Sequence, residues 1–145
     1  MAIDTSPLTI GALAAQTGCN VATIRYYEEI GLLPRAGRGP GGHRIYRASD
    51  LKRLIFIRRC RDFQFPIEQV RELLDLIENP ERDCSAAMDL AEDHLVVVRQ
   101  KLVELRALEQ NLTQFAQSCA STCAGGPAKD CLILEDLSAS GRSCC

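Results

Sequence analysis

Tryptophan is absent and aromatic residues make up only 5% of the chain, although 46% of its residues are hydrophobic. A core here must be assembled from Leu, Ile, Val and Ala. Long apolar runs are missing too. The densest patch, Leu54-Ile55-Phe56-Ile57, falls far short of the roughly 18 residues that a membrane-crossing helix needs. The opening stretch, Met1 to Pro7, has neither the basic start nor the apolar segment of a signal peptide. Together these features lead us to expect a cytoplasmic protein with no membrane partner. Histidine is scarce, with two in 145 residues, and no His–carboxylate cluster or phosphate-binding glycine loop is legible. An enzyme is therefore not expected.

Charge is present but unevenly placed. The net charge of −2 separates into +3 over residues 1–77, from 11 Lys/Arg and 8 Asp/Glu, and −5 over residues 78–145, from 6 and 11. Residues 25–61 hold 10 basic against 3 acidic side chains. A local excess of that size can neutralise phosphates even when the whole chain is acidic, although a solvated basic face would look the same.

Local patterning divides the chain at Asn79-Pro80 and again near Ser118. In the first part, residues 1–79, Thr9 is placed to cap a helix through Ile10, Leu13 and Ala14. Thr17-Gly18-Cys19-Asn20 reads as a turn, and a second helix runs from about Val21 through Tyr27 to Ile30. Two short helices joined this way suit a helix-turn-helix or an ordinary helical hairpin equally well. The following segment, Arg35 to Tyr46, carries four Gly, one Pro and three Arg, with Gly41-Gly42 placed to turn a basic hairpin. A hairpin of this kind reads as a wing lying on the DNA backbone. Ser49 is expected to cap a helix from Asp50 to about Phe63, with Leu51, Leu54, Ile55 and Ile57 on its apolar side. Pro66 opens another helix, whose Val70, Leu73, Leu74 and Ile77 should point inward.

From Ser85 to Gln117 there is neither Pro nor Gly. Met88, Ala91, Leu95, Val98, Leu102, Leu105 and Leu112 follow a 3-4 spacing broken at Glu109, the pattern of a coiled-coil helix over residues 80–118. A second copy of the chain is the economical cover for that stripe. Residues 119–145 form a loop and tail rich in Cys and Gly, interrupted by Leu132-Ile133-Leu134. The expected fold is all-α with a small β-hairpin wing: a winged helix-turn-helix domain, then a long antiparallel coiled-coil dimerisation helix.

Eight cysteines are many for a cytoplasmic chain, where clustered thiols bind metal or sense oxidants more often than they form disulfides. Cys19 and Cys60 stand apart and read as small packing residues. Cys84, Cys119, Cys123, Cys131, Cys144 and Cys145 all lie in the second half.

Several stretches together resemble the MerR family of bacterial transcription regulators. They are Leu8-Thr9-Ile10-Gly11-Ala12-Leu13-Ala14, Thr23-Ile24-Arg25-Tyr26-Tyr27-Glu28 with Gly31-Leu32, Gly42-His43-Arg44-Ile45-Tyr46, and Asp50-Leu51 to Phe56-Ile57. The resemblance covers about residues 8–137. It implies that the helix beginning near Val21 enters the major groove, with Thr23, Arg25 and Tyr26 meeting bases or phosphates, and that Arg44 and Tyr46 in the wing grip the backbone. Arg can address guanine bidentately or clamp a phosphate, and a Tyr hydroxyl donates to phosphate oxygens. Ile24 and Tyr27 are instead expected in the core. Arg59 and Arg61 fit phosphate contacts or solvent equally well.

Cys84 and Cys119 are 35 positions apart, roughly 50 Å along a helix, so they cannot share a ligand within one chain. In an antiparallel dimer Cys84 of one subunit would approach Cys119, Cys123 and Cys131 of the other. Metal sensors of the family are similar in layout, and the resemblance assigns a Cys at the first position to divalent soft metals and a Ser to monovalent ones. Cys84, Cys119, Cys123 and Cys131 are accordingly the expected ligands of zinc, cadmium, lead or mercury. Cys123-x7-Cys131 matches the copper-sensing spacing, which keeps Cu(I) as an alternative, and a thiol redox sensor would use the same cysteines. By the same resemblance the homodimer binds promoter DNA, works with RNA polymerase there, and activates metal export or detoxification genes when metal binds.

Overall fold

The computed structural model describes residues 6–122 and 125–139. Two compact units are present, residues 1–90 and 91–145. Cys123, Cys144 and Cys145 lie outside the described residues.

The first unit opens with a two-residue strand β1 (Leu8–Thr9) leading directly into α1 (Ile10–Thr17). The Thr9 hydroxyl accepts the Ala12 N–H at 3.2 Å, the expected cap. Gly18, at φ +65°, ends the helix in the left-handed conformation that glycine adopts without a Cβ clash. Asn20 Oδ1 accepts the Thr23 N–H at 2.7 Å and starts α2 (Val21–Glu29). That helix stops at Gly31, also left-handed, where the Leu32 and Leu33 amides both bond the Tyr27 carbonyl. The tight turn delivers two fully buried leucines into the core.

Strands β2 (Gly37–Arg38) and β3 (Arg44–Tyr46) form the wing, closed by a turn in which Gly39 bonds His43 and Gly42 bonds Gly39. Gly41 and Gly42 both have positive φ, as the hairpin reading required. The sheet has three strands in the order β1-β3-β2, with Leu8 opposite Tyr46 and Gly37 opposite Ile45. Strand β1 was not read from the sequence; two residues carry too short a pattern.

Helix α3 (Ala48–Asp62) begins earlier than expected and Ser49 is not its cap. Arg47 stands at the cap position, and its backbone N–H is held by Asp50 Oδ2 at 2.8 Å. An acid three residues into the helix satisfies the orphan donor that Ser49, already inside the first turn, cannot reach. Helix α4 (Ile67–Glu78) starts after Pro66 as expected. Val70 and Leu74 are buried, whereas Ile77 and Ile55, both expected inward, are exposed at 56% and 41%. Each sits at the margin of its apolar stripe, where one helical position turns the side chain to solvent.

The core of this unit consists of Leu13, Ile24, Leu32, Leu33, Leu54, Ile57 and Val70, each fully excluded from solvent, with Tyr46, Tyr27, Cys60 and Leu74 around them. It is aliphatic, as the aromatic scarcity implied. Each such side chain contributes about 1.5–3 kcal/mol on burial. Arg53 from α3 ties the frame together, donating to the Leu32 carbonyl at 2.8 Å and pairing with Glu78 of α4.

Helix α5 (Ser85–Thr122) runs uninterrupted for 38 residues, about 57 Å. Along the second unit its Leu95, Val98, Leu102, Leu105 and Leu112 are between 37% and 59% exposed, an apolar stripe left uncovered by the described residues. A one-turn 3-10 helix at Ala128–Asp130 and helix α6 (Leu132–Ser138) follow. No helix among the described residues is long and apolar enough to cross a membrane.

Candidate nucleic-acid interface and thiol pair

Helix α2 separates its two faces by the 3.6-residue period. Ile24, Tyr27 and Glu28 point inward and are buried, whereas Arg25 and Tyr26 are exposed and Thr23 is half-buried. Arg25 and Tyr26 thus share the outward face of a short, capped helix, with half-buried Thr23 at its margin. Ile24 and Tyr27 are core residues, as expected. Burial raises the pKa of Tyr27.

Arg25, Arg35, Arg38 and Arg44 converge from α2 and the wing on a cleft of about 350 Å³ that also contains Glu28 and Glu29. Four guanidiniums around one opening form a site for anionic oxygen, in which planar donors can take phosphate in bidentate fashion. Arg38 is braced by a 2.7 Å bond to the Gly42 carbonyl, and Arg44 Nε lies 3.4 Å from Glu28 Oε2. Of the other two arginines left open by the sequence, Arg61 donates to the Phe65 carbonyl and Arg59 is exposed.

Tyr46 requires a correction. Expected to grip the DNA backbone, it is 1% exposed, and its hydroxyl donates to Glu28 Oε1 at 3.2 Å. The register of β3 sends alternate side chains to opposite faces, and Tyr46 falls on the core side beside Leu8. Burial, followed by the charge of Glu28 and its hydrogen bond, pushes the Tyr46 pKa up to about 12, against the opposing pull of Arg44 and Arg25. Glu28 itself was not singled out from the sequence. The available signals were its i+4 spacing from buried Ile24 and its place as one of three acids within the basic stretch 25–61.

The cysteines fall into two groups. Cys60 is buried, and burial pushes its thiol pKa up; Cys19 is half-buried. Both are packing residues, as expected. Cys84 is exposed immediately before α5, where its carbonyl accepts the Ala87 and Met88 amides at 3.0 and 3.3 Å. Cys119, in the last turns of α5, has its side chain close enough to Cys131, the residue opening α6, to contribute to the lowered pKa of that thiol. The Leu134 N–H, then the Ile133 N–H and the Cys119 contact, draw the Cys131 pKa below the ordinary thiol value. The two side chains are twelve residues apart in sequence and come together in the fold. Among the described residues no three His, Cys, Asp or Glu side chains cluster as a metal-binding group. The pair therefore offers two soft donors, the correct type for thiophilic ions, and a complete ligand set needs donors from elsewhere.

Comparison with known proteins agrees with this geometry. The chain matches the family described as MerR HTH family regulatory protein over residues 8–77, and the one described as MerR, DNA binding over residues 51–115. It is 37% identical over 131 residues to the HTH-type transcriptional regulator HmrR of Rhizobium leguminosarum bv. viciae, covering 90% of this chain and 98% of that protein. It is 35% identical over 130 residues to a probable heavy metal-dependent transcriptional regulator of Haemophilus influenzae, covering 90% and 98%. Among solved structures, the transcription regulator PbrR691 from Ralstonia metallidurans CH34, in complex with lead(II), superposes with a TM-score of 0.74 at 40% identity, covering 90% of this chain and 99% of that one. The matched family consists of transcription regulators, not enzymes.

Proposed function

Because the chain belongs to the MerR family of helix-turn-helix transcription regulators, we propose that it acts as a homodimer that binds promoter DNA and responds to a divalent soft metal ion. The supporting observation is the proximity of the Cys119 and Cys131 side chains. In this reading Cys84 of the partner subunit supplies a third thiolate, a set suited to trigonal mercury(II) or lead(II), and Cys123 would complete a tetrahedron for zinc or cadmium. Relatives described as heavy metal-dependent and solved with lead(II) support this class of inducer.

Each protomer presents Thr23, Arg25 and Tyr26 to a major groove and Arg44 with its neighbouring arginines to the phosphates. The exposed stripe of α5 is the surface that a second copy covers. Ligation at the thiols shifts an equilibrium between two arrangements of the DNA-binding heads, by its different affinity for each. RNA polymerase at the same promoter is the partner that reads the change, and metal export or detoxification genes are the regulated class.

A second reading rests on the same pair, because two adjacent thiols can also form a disulfide under oxidant. A promoter–reporter assay against zinc, cadmium, lead, mercury, copper and peroxide, run on the wild type and Cys84→Ser, separates the possibilities. The divalent-metal reading expects induction by at least one divalent ion and its loss in Cys84→Ser. Induction by copper alone, or by peroxide without metal, would overturn it in favour of the corresponding alternative.

A further inference from the structure

Glu28 is the one buried carboxylate among the described residues of the DNA-binding unit, 8% exposed, and three parts of the wing converge on it. Its Oε1 accepts the Ala36 N–H at 2.9 Å, just before β2, and the Tyr46 hydroxyl at 3.2 Å, at the end of β3. Its Oε2 lies 3.4 Å from Arg44 Nε, at the start of that same strand. A buried carboxylate is costly unless paired and hydrogen-bonded, and here both oxygens are engaged by the wing. The residue itself belongs to α2, three positions after Arg25 and two after Tyr26.

We propose that Glu28 is the positioning residue of the DNA-binding surface: its carboxylate clamps the wing to the recognition helix and sets the four-arginine cleft at the spacing of a DNA phosphate. The inference deepens the DNA-binding reading above and rests on it. Its content is a paradox of charge. A carboxylate within a phosphate-binding cleft repels the ligand, so a purely electrostatic role predicts tighter DNA binding when the charge is removed. A positioning role predicts that reach matters more than charge. One methylene is the difference between a carboxylate that spans Ala36, Tyr46 and Arg44 together and one that does not.

Two variants of the full-length chain separate the roles. Glu28→Asp keeps the charge and shortens the reach; Glu28→Gln removes the charge and keeps the Oε1 acceptor for Ala36 and Tyr46. The probe is a duplex enriched by the wild-type chain from a random-sequence pool, with affinity measured across a salt series. Thermal melting, followed in parallel, ensures that each variant is assayed folded. Glu28→Asp should bind about tenfold more weakly, with a salt slope reduced by about one phosphate contact. Hydroxyl-radical protection should fade at the outer, wing-contacted positions and persist where α2 enters the groove. Glu28→Gln, which keeps the Oε1 acceptor but sets an amide NH2 against Arg44 Nε, should weaken binding less than Glu28→Asp and keep part of the wing protection. Wild-type affinity in Glu28→Asp, or tighter binding by Glu28→Gln, overturns the inference while leaving the regulator reading standing. Failure of the wild-type chain to enrich any duplex overturns both.

Discussion

The Tyr46 hydroxyl donates to Glu28 Oε1 at 3.2 Å inside the protein, joining the last residue of the wing to helix α2. A side chain expected on the phosphate backbone thus acts one layer beneath it. In the proposed reading, the contacts left for DNA are the outward residues of α2 and the arginines around the cleft.

Burial of Tyr46 beside Glu28 carries a pH dependence. The folded-state pKa of Tyr46 is raised from 10.0 to about 12, so its contribution to stability is fully present below about pH 10 and is lost as pH rises towards 12. Urea denaturation at pH 7, 10 and 12 should show the midpoint falling across the upper interval. In Tyr46→Phe that fall should shrink, leaving the smaller share due to Tyr27, whose pKa is also raised. An equal fall in Tyr46→Phe would contradict the assignment.

Thiol reactivity should sort by environment. Thiolate is the nucleophile, so the lowered pKa of Cys131 makes it reactive at lower pH than an ordinary cysteine, whereas the raised pKa and burial of Cys60 protect it. Limited iodoacetamide labelling of the reduced protein at pH 7, read by peptide mass spectrometry, should mark Cys131 well before Cys60. Comparable rates would show that the contacts at the start of α6 do not persist in solution.

The stripe of α5 offers a test of association. Leu102 and Leu105 are 45% and 59% exposed in the single chain, so replacing them costs little internal packing, and Glu is nearly as good a helix former as Leu. Leu102→Glu and Leu105→Glu should leave helix content unchanged by circular dichroism and shift sedimentation from dimer to monomer, because a charge buried at the seam is costly. A dimer that survives both substitutions would place the interface elsewhere.

What could be read in advance was local or periodic. Thr9, Gly41-Gly42, the buried pair Ile24 and Tyr27, packed Cys60 and the stripe of α5 each follow from a cap, a turn or a 3.6-residue period. Misreadings arose where the deciding partner is distant or a boundary is shared. The fate of Tyr46 depends on Glu28, eighteen residues away, and the start of α3 on the reach of Asp50 back to Arg47, which the nearby serine masked. Ile55 and Ile77 sit at stripe edges, where hydrophobicity alone does not tell core from solvent. The cysteine positions were visible as candidates, but the proximity of Cys119 to Cys131 is a tertiary property that spacing alone does not establish.

Titration of the reduced, full-length protein with lead(II), followed by its thiolate-to-metal absorption, tests the metal-responsive reading most directly. The band should saturate at about one ion per chain, vanish in Cys119→Ser and Cys131→Ser, and weaken in Cys84→Ser, because the proposed site draws on all three thiolates. A band of undiminished intensity and affinity in Cys119→Ser and Cys131→Ser would contradict it.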